Sequence, residues 1–254
     1  MLRPRVIACL LVKDKGLVKT VGFKDPKYVG DPINAVRIFN EKEVDELMVV
    51  EIDATTSGRE PDYSLIENLA AECRMPLCYG GGVRTAQQVE RIVGLGVEKV
   101  ALSSALFADP GVVPKAAEGV GNQSIVAVFD VKKMAEGRYE IFTHNGTRAT
   151  GRSPLDMAVE MEKLGAGEIV LNSIDNDGRM KGYDRALVSA VRAVTSLPLT
   201  CLGGAGSLAD MHRLTEEHGP MGVAAGSLFV FKGVYRAVLI NYPNKASKQA
   251  LFTA

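Results

Sequence analysis

Two stretches of this chain are versions of one pattern, set 122 positions apart. Met75-Pro-Leu-Cys-Tyr-Gly-Gly-Gly-Val83 and Leu197-Pro-Leu-Thr-Cys-Leu-Gly-Gly-Ala-Gly206 each open with an apolar run too short for a helix and end in glycines ahead of a helical pattern. Pro76 matches Pro198, and Gly81 matches Gly203. Each stretch reads as a buried strand whose carboxyl end is bare backbone. Main-chain N–H groups can approach an anion there, and the following helix adds the positive end of its dipole. The doubling continues in the other strands. Val6–Lys13 is echoed by Val126–Lys132, Asp45–Asp53 by Gly167–Asp175, and Val100–Phe107 by Val223–Phe229.

Four matched strands in each half make eight, and strand, loop and helix alternate throughout. The chain has 254 residues and no linker between the halves. One closed unit is therefore favoured over two small domains, and barrels of about 250 residues are ordinary. The expected fold is α/β, a single (β/α)8 barrel over residues 1–242. Its half-barrels span about 1–120 and 121–242, and a polar, loosely held tail covers 243–254. Helix 1 should open at Asp31-Pro32, as N-cap and first helical residue. The polar segment Lys13–Gly30 reads as a loop covering a ligand. The alternating run Tyr139–Asn145 reads as a small hairpin inserted after strand 5.

Lysine and arginine number 30, as do aspartate and glutamate, so no overall charge calls for nucleic acid or an anionic membrane. The four cysteines have no C-x-x-C spacing and there are three histidines, so neither a zinc site nor a disulfide framework is expected. The amino-terminal residues lack a signal-peptide pattern, and no apolar run is long enough to span a bilayer. A cytoplasmic protein is the expectation.

In an α/β barrel, ligands bind at the carboxyl ends of the strands. Every glycine-rich or acidic cluster here falls just after a strand. Two phosphate grips related by the repeat are expected across the mouth. One uses Gly81, Gly82, Ser103 and Ser104; the other uses Gly178, Gly204, Gly226 and Ser227. Glycines that merely permit tight turns are the simpler alternative. Asp130, at the end of strand 5, is placed to act as general acid or base, or else braces its own loop. Its repeat mate is Leu11, which cannot transfer protons. At the other face, Arg5, Glu46, Lys99 and Glu168 stand at strand starts. From spacing alone they read as a ring that satisfies its own charges.

Taken together, these residues resemble the cyclase subunit (HisF family) of imidazole glycerol phosphate synthase, the glutamine-dependent enzyme of histidine biosynthesis. The resemblance runs from Arg5 to about Tyr242. It is carried by Lys13-Asp14, Lys19, Gly30-Asp-Pro32, Asp45-Glu-Leu47, Gly80-Gly-Gly82, Asp130, Gly165-Ala-Gly-Glu168, Ser173-Ile-Asp175, Asp177-Gly178, Gly182-Tyr-Asp184 and Gly203-Gly-Ala-Gly206.

The resemblance implies a glutaminase subunit docked on the barrel floor, releasing ammonia that crosses the barrel to a bisphosphorylated aminoimidazole nucleotide at the mouth. It makes Arg5, Glu46, Lys99 and Glu168 an ammonia gate and Glu98 a partner-docking residue. Asp130 becomes catalytic, and Lys19, Asn172 and Asp177 join the substrate-binding set. It implies no metal or other cofactor.

The departures lie at the top. Leu11 stands where the family has a second catalytic aspartate, and Glu51 and Asp53 stand where it has Asp and then Thr. Asn172 replaces a threonine, and Ser103-Ser104 an Asn-Thr pair. Related second copies accompany surface-polysaccharide pathways, feeding ammonia to an ATP-using amidotransferase that acts on a sugar. The expectation is such a variant, a barrel that activates its glutaminase and conducts ammonia with little cyclase chemistry of its own. The alternative is an ordinary cyclase in which Asp53 or Glu51 stands in for the missing carboxylate.

Overall fold

A computed structural model describes residues 3–252. The eight repeat strands are β1 (Arg5–Lys13), β2 (Glu46–Glu51), β3 (Leu77–Gly80), β4 (Lys99–Leu102), β5 (Ile125–Lys133), β6 (Glu168–Ser173), β7 (Leu199–Leu202) and β8 (Gly222–Ala225). All pair in parallel with their neighbours, β8 returns to β1, and β5 pairs with β6, so the sheet closes into a barrel. The fold is the expected (β/α)8 barrel.

The helices pack outside: α1 (Pro32–Glu41), α2 (Tyr63–Glu72), α3 (Ala86–Gly94), α4 (Val112–Val120), α5 (Pro154–Leu164), α6 (Arg185–Arg192) and α7 (Leu208–His218). Their starts follow the sequence closely. Asp31 accepts from the Asn34 amide with Pro32 in the first turn, and Ser153 caps α5 ahead of Pro154. On α2, Ile66 and Leu69 are fully buried, while Leu65 and Ala70 lie at the edge of the same stripe.

Because strand side chains alternate, each barrel strand feeds two cores. Val6, Ala8, Leu10 and Val12 of β1 join the large core between sheet and helices. Ile7 and Cys9 join a smaller core inside the barrel with Met48, Cys78, Ala101, Val126, Val128, Val170 and Ala224. The repeat is visible in atomic detail. A Cβ on Gly81 would lie 2.3 Å from the Glu51 carbonyl oxygen, and one on its mate Gly203 would lie 2.6 Å from the Ser173 carbonyl oxygen. Both glycines have positive φ, so no other residue fits either turn without strain.

Two expectations are corrected. The segment after β1 is not an irregular loop: Gly16–Val21 and Lys24–Gly30 form an antiparallel hairpin that extends β1, with Leu11 facing Val18 and Lys13 facing Gly16. It is the counterpart of the hairpin foreseen after β5, formed by Tyr139–Thr143 and Arg148–Ala149. At the turns Asp14, Lys15 and Phe23 take positive φ without being glycine, with Gly22 the one glycine that does so, and this weakened the turn signal in the sequence.

The closing segment carries helix α8 (Lys245–Phe252) in place of a loose tail. Ahead of α8, the Tyr242 hydroxyl donates to the Val6 carbonyl at 2.8 Å and accepts from the Asp45 amide at 3.1 Å. The Lys248 ammonium contacts the Asp45 carboxylate. A third hairpin, Phe231–Lys232 with Ala237–Val238, follows β8. No helix among the described residues is long and apolar enough to cross a membrane.

Candidate active site

The mouth residues named from the sequence all line one cleft of about 150 Å³ at the carboxyl ends of the strands: Lys19, Gly81, Gly82, Ser103, Ser104, Asp130, Asn172, Asp177, Gly178, Gly204, Gly226 and Ser227. The two expected grips lie on its walls. Asp130, on β5, accepts from the Asn172 amide at 2.8 Å and from the Ser103 hydroxyl at 3.4 Å. Burial pushes its carboxyl up to about 6, although both hydrogen bonds favour the ionised form. A group poised there can both give and take a proton near neutral pH.

The inward positions at the ends of β1 and β2 are apolar. Leu11 and Val50 are register partners on β1 and β2, and with Leu202 of β7 they pack on the inner core. Of the two stand-ins considered for the missing carboxylate, Glu51 lines the same cleft as Asp130 and Asp53 does not. Alternation along β2 sets Glu51 off the inner face that carries Val50, and its buried carboxylate is engaged by Arg59 Nη2 at 3.5 Å at the edge of the cleft. Burial raises its pKa. Asp53 lies outside the cleft wall, held by Lys13 Nζ at 2.9 Å and the Asn145 amide at 3.0 Å.

Lys19 rises from the first hairpin into the cleft and is 5% exposed. Its ammonium donates to the Cys9 carbonyl at 2.7 Å, and burial lowers its pKa. Among the described residues no carboxylate forms an ion pair with it. Asp177 is engaged elsewhere: its Oδ2 accepts from the Thr20 hydroxyl at 2.7 Å and the Phe23 amide at 3.1 Å. It thus fastens the first hairpin over the mouth.

Several cleft residues escaped the sequence reading, among them Thr20, Phe23, Asn145, Leu202 and His144. Arg148 can only donate, so His144 Nε2 accepts its hydrogen bond at 3.2 Å and Nδ1–H donates to the Thr143 hydroxyl at 3.0 Å. Burial, with Arg148 adding to it, lowers the imidazole pKa and favours this neutral form. The alternating run marked the hairpin, but nothing local revealed that its tip turns into the cleft.

The floor is a closed ring of four charges. Arg5 contacts the Glu46 carboxylate and lies 2.7 Å from Glu168, while Lys99 lies 2.9 Å from each of the two glutamates. Thr200 donates to Glu168 at 2.5 Å. Burial alone would raise the Glu168 pKa, but Lys99 and Arg5 outweigh it and hold the pKa low. Above this ring, up to the mouth, the inner core is made of apolar and thiol side chains. Glu98 is exposed beside the floor and accepts from the Leu77 amide at 2.7 Å. The described residues contain no cluster of side chains suited to a metal ion.

Comparison with known proteins agrees with this architecture. A family described as histidine biosynthesis protein matches residues 5–236. A Vibrio vulnificus protein provisionally named imidazole glycerol phosphate synthase subunit hisF3 is 57% identical over 250 residues, covering 98% of this chain and 96% of its own. One from Pseudomonas aeruginosa, provisionally named subunit hisF2 of the same synthase, is 54% identical over 244 residues, with 96% and 97% covered. The imidazole glycerol phosphate synthase subunit HisF of Hyphomonas neptunium is 40% identical over 231 residues, covering 91% of each.

Proposed function

Because this chain belongs to the histidine biosynthesis protein family, as a HisF-like barrel, we propose that it is the ammonia-conducting subunit of a glutamine-dependent amidotransferase complex. A glutaminase docks on the floor near Glu98 and is activated by the barrel. Ammonia passes the ring of Arg5, Glu46, Lys99 and Glu168 and crosses the apolar interior as the uncharged molecule, since ammonium would have to shed its hydration to enter. It emerges beside Asp130. The acceptor is a sugar of a surface polysaccharide, amidated by a separate ATP-using enzyme.

The observation that carries this reading is the one-sided mouth. Asp130 is held and poised for proton transfer, yet Leu11 and Val50 stand at the ends of β1 and β2, Glu51 is paired with Arg59 in the cleft wall, and Asp53 is paired with Lys13 outside it. A cyclisation that relies on two opposed carboxylates lacks one of them. The phosphate grips still suit an anionic ligand. Among the described residues Lys19 is a buried amine in ion-pair contact with no carboxylate, and a phosphate beside it would supply an opposite charge.

A second reading, the histidine-pathway cyclase, draws support from the name of the Hyphomonas relative and from Asp130 itself. Turnover of the bisphosphorylated aminoimidazole nucleotide with excess ammonium separates the two, because added ammonium removes the need for a glutaminase. The proposed role expects no appreciable imidazole glycerol phosphate from a folded chain that still stimulates a glutaminase. Product at an ordinary enzymatic rate would establish the cyclase.

A further inference from the structure

Seven of the nine exposed large apolar side chains among the described residues lie on or next to the three hairpins at the mouth end. Val21 and Tyr28 are on the first, Met134 is in the turn between β5 and the second, and Val234, Tyr235, Val238 and Leu239 are on or beside the third. Val234 and Tyr235 stand 92% and 95% exposed at the tip of the third hairpin.

That hairpin belongs to the mouth. Arg236 Nη2 donates to the Gly178 carbonyl at 2.8 Å, and Gly178 packs against Thr20 and Val21 of the first hairpin. The first and third hairpins therefore form one continuous rim. The rim is also basic. Lys24, Lys27, Lys232 and Arg236 are exposed on these two hairpins against Asp25, and the segment Lys132–Arg148, from the end of β5 into the second hairpin, carries four basic residues against two acidic ones. The chain as a whole has no net charge.

We infer that the mouth rim, centred on Val234 and Tyr235, is the docking surface for the ammonia-consuming protein, which presents an acidic face with an apolar centre. This rests on the ammonia-conducting role proposed above. Water protonates ammonia at neutral pH, so ammonia released from the cleft must enter a dry junction to stay nucleophilic. Exposed apolar side chains around the exit supply the seal, and the basic surround selects and steers an acidic partner. Like charge on two facing rims opposes a second copy of this chain as the occupant.

The test places the photo-cross-linker p-benzoylphenylalanine at Tyr235 of the full chain in its native cell, with the same probe at Ile38 on α1 as a control away from the rim. An adduct at Tyr235, absent at Ile38, is expected with one protein other than the glutaminase, through an acidic peptide of that protein. With that protein purified, a V234D/Y235D double variant should cut glutamine-driven product at least tenfold. Product from added ammonium and stimulation of glutamine hydrolysis should stay unchanged. An adduct only with a second copy or with the glutaminase, no adduct at all, or wild-type transfer by the double variant would overturn the docking assignment. Failure of the wild-type chain to stimulate glutamine hydrolysis would instead defeat the ammonia-conducting role itself.

Discussion

At the scale of single residues, Asp130 governs the mouth. Its folded pKa is raised to about 6, so the native state binds more protons than the unfolded chain between roughly pH 4 and 6. Stability is therefore lost as pH rises through that window, and the penalty of the buried charge is complete above it. Asp130→Asn should raise Tm relative to wild type at pH 7.5 and make little difference at pH 4. Melting curves at both values check the sign. Leu11 provides the converse test: Leu11→Asp restores a carboxylate opposite Asp130, and ammonium-driven cyclisation should rise by about 10²-fold or more if the absent acid–base group is what limits it. Unchanged turnover in a folded variant would count against the loss of cyclase chemistry.

At the scale of elements, the two hairpins over the mouth are each fastened to the opposite half-barrel. The first is held by Asp177, from the loop after β6, and the second reaches Asp53, from the loop after β2, through Asn145. Asp177→Ala removes the acceptor of two hydrogen bonds and should cost about 1–3 kcal/mol. The loss should be local, seen as faster amide hydrogen exchange across residues 16–30 with the β5 and β6 amides unchanged. Equal acceleration throughout the barrel would mean that the latch supports the whole fold. The hairpins also mark the limit of reading by pattern. The second was legible because apolar and polar residues alternate from Tyr139 to Asn145; the first was not, because Lys24-Asp-Pro-Lys27 is exposed and follows no period.

At the scale of the molecule, the floor ring joins β1, β2, β4 and β6, contributed by both halves of the repeat. Lys99→Met would leave Glu46 and Glu168 with Arg5 alone and should destabilise the barrel by about 3–5 kcal/mol, measured by denaturant unfolding. Glu168 adds a pH signature of the opposite sign to Asp130. Its folded pKa is held low, so its contribution is present above the unfolded value and is lost as pH falls through the folded one. Acid unfolding of wild type should therefore be steeper than that of Glu168→Gln.

The sequence by itself determined the barrel, its two-fold repeat, the strand ends and the glycines on which β3 and β7 turn. These follow from spacing within short segments, where alternation and φ restrictions act. It also placed Asp130, Lys19 and the serines at one end, because a parallel barrel gathers the carboxyl ends of its strands. Only the tertiary structure decided which groups face one another there. Glu51 turns to Arg59, Asp53 is taken up by Lys13 and Asn145, and Leu202 joins Leu11 and Val50 on the wall. His144 enters the cleft on a hairpin tip, and the exposed apolar residues gather on one rim. Each outcome depends on register and on contacts between segments far apart in the chain, and short-range periodicity carries no information about such contacts.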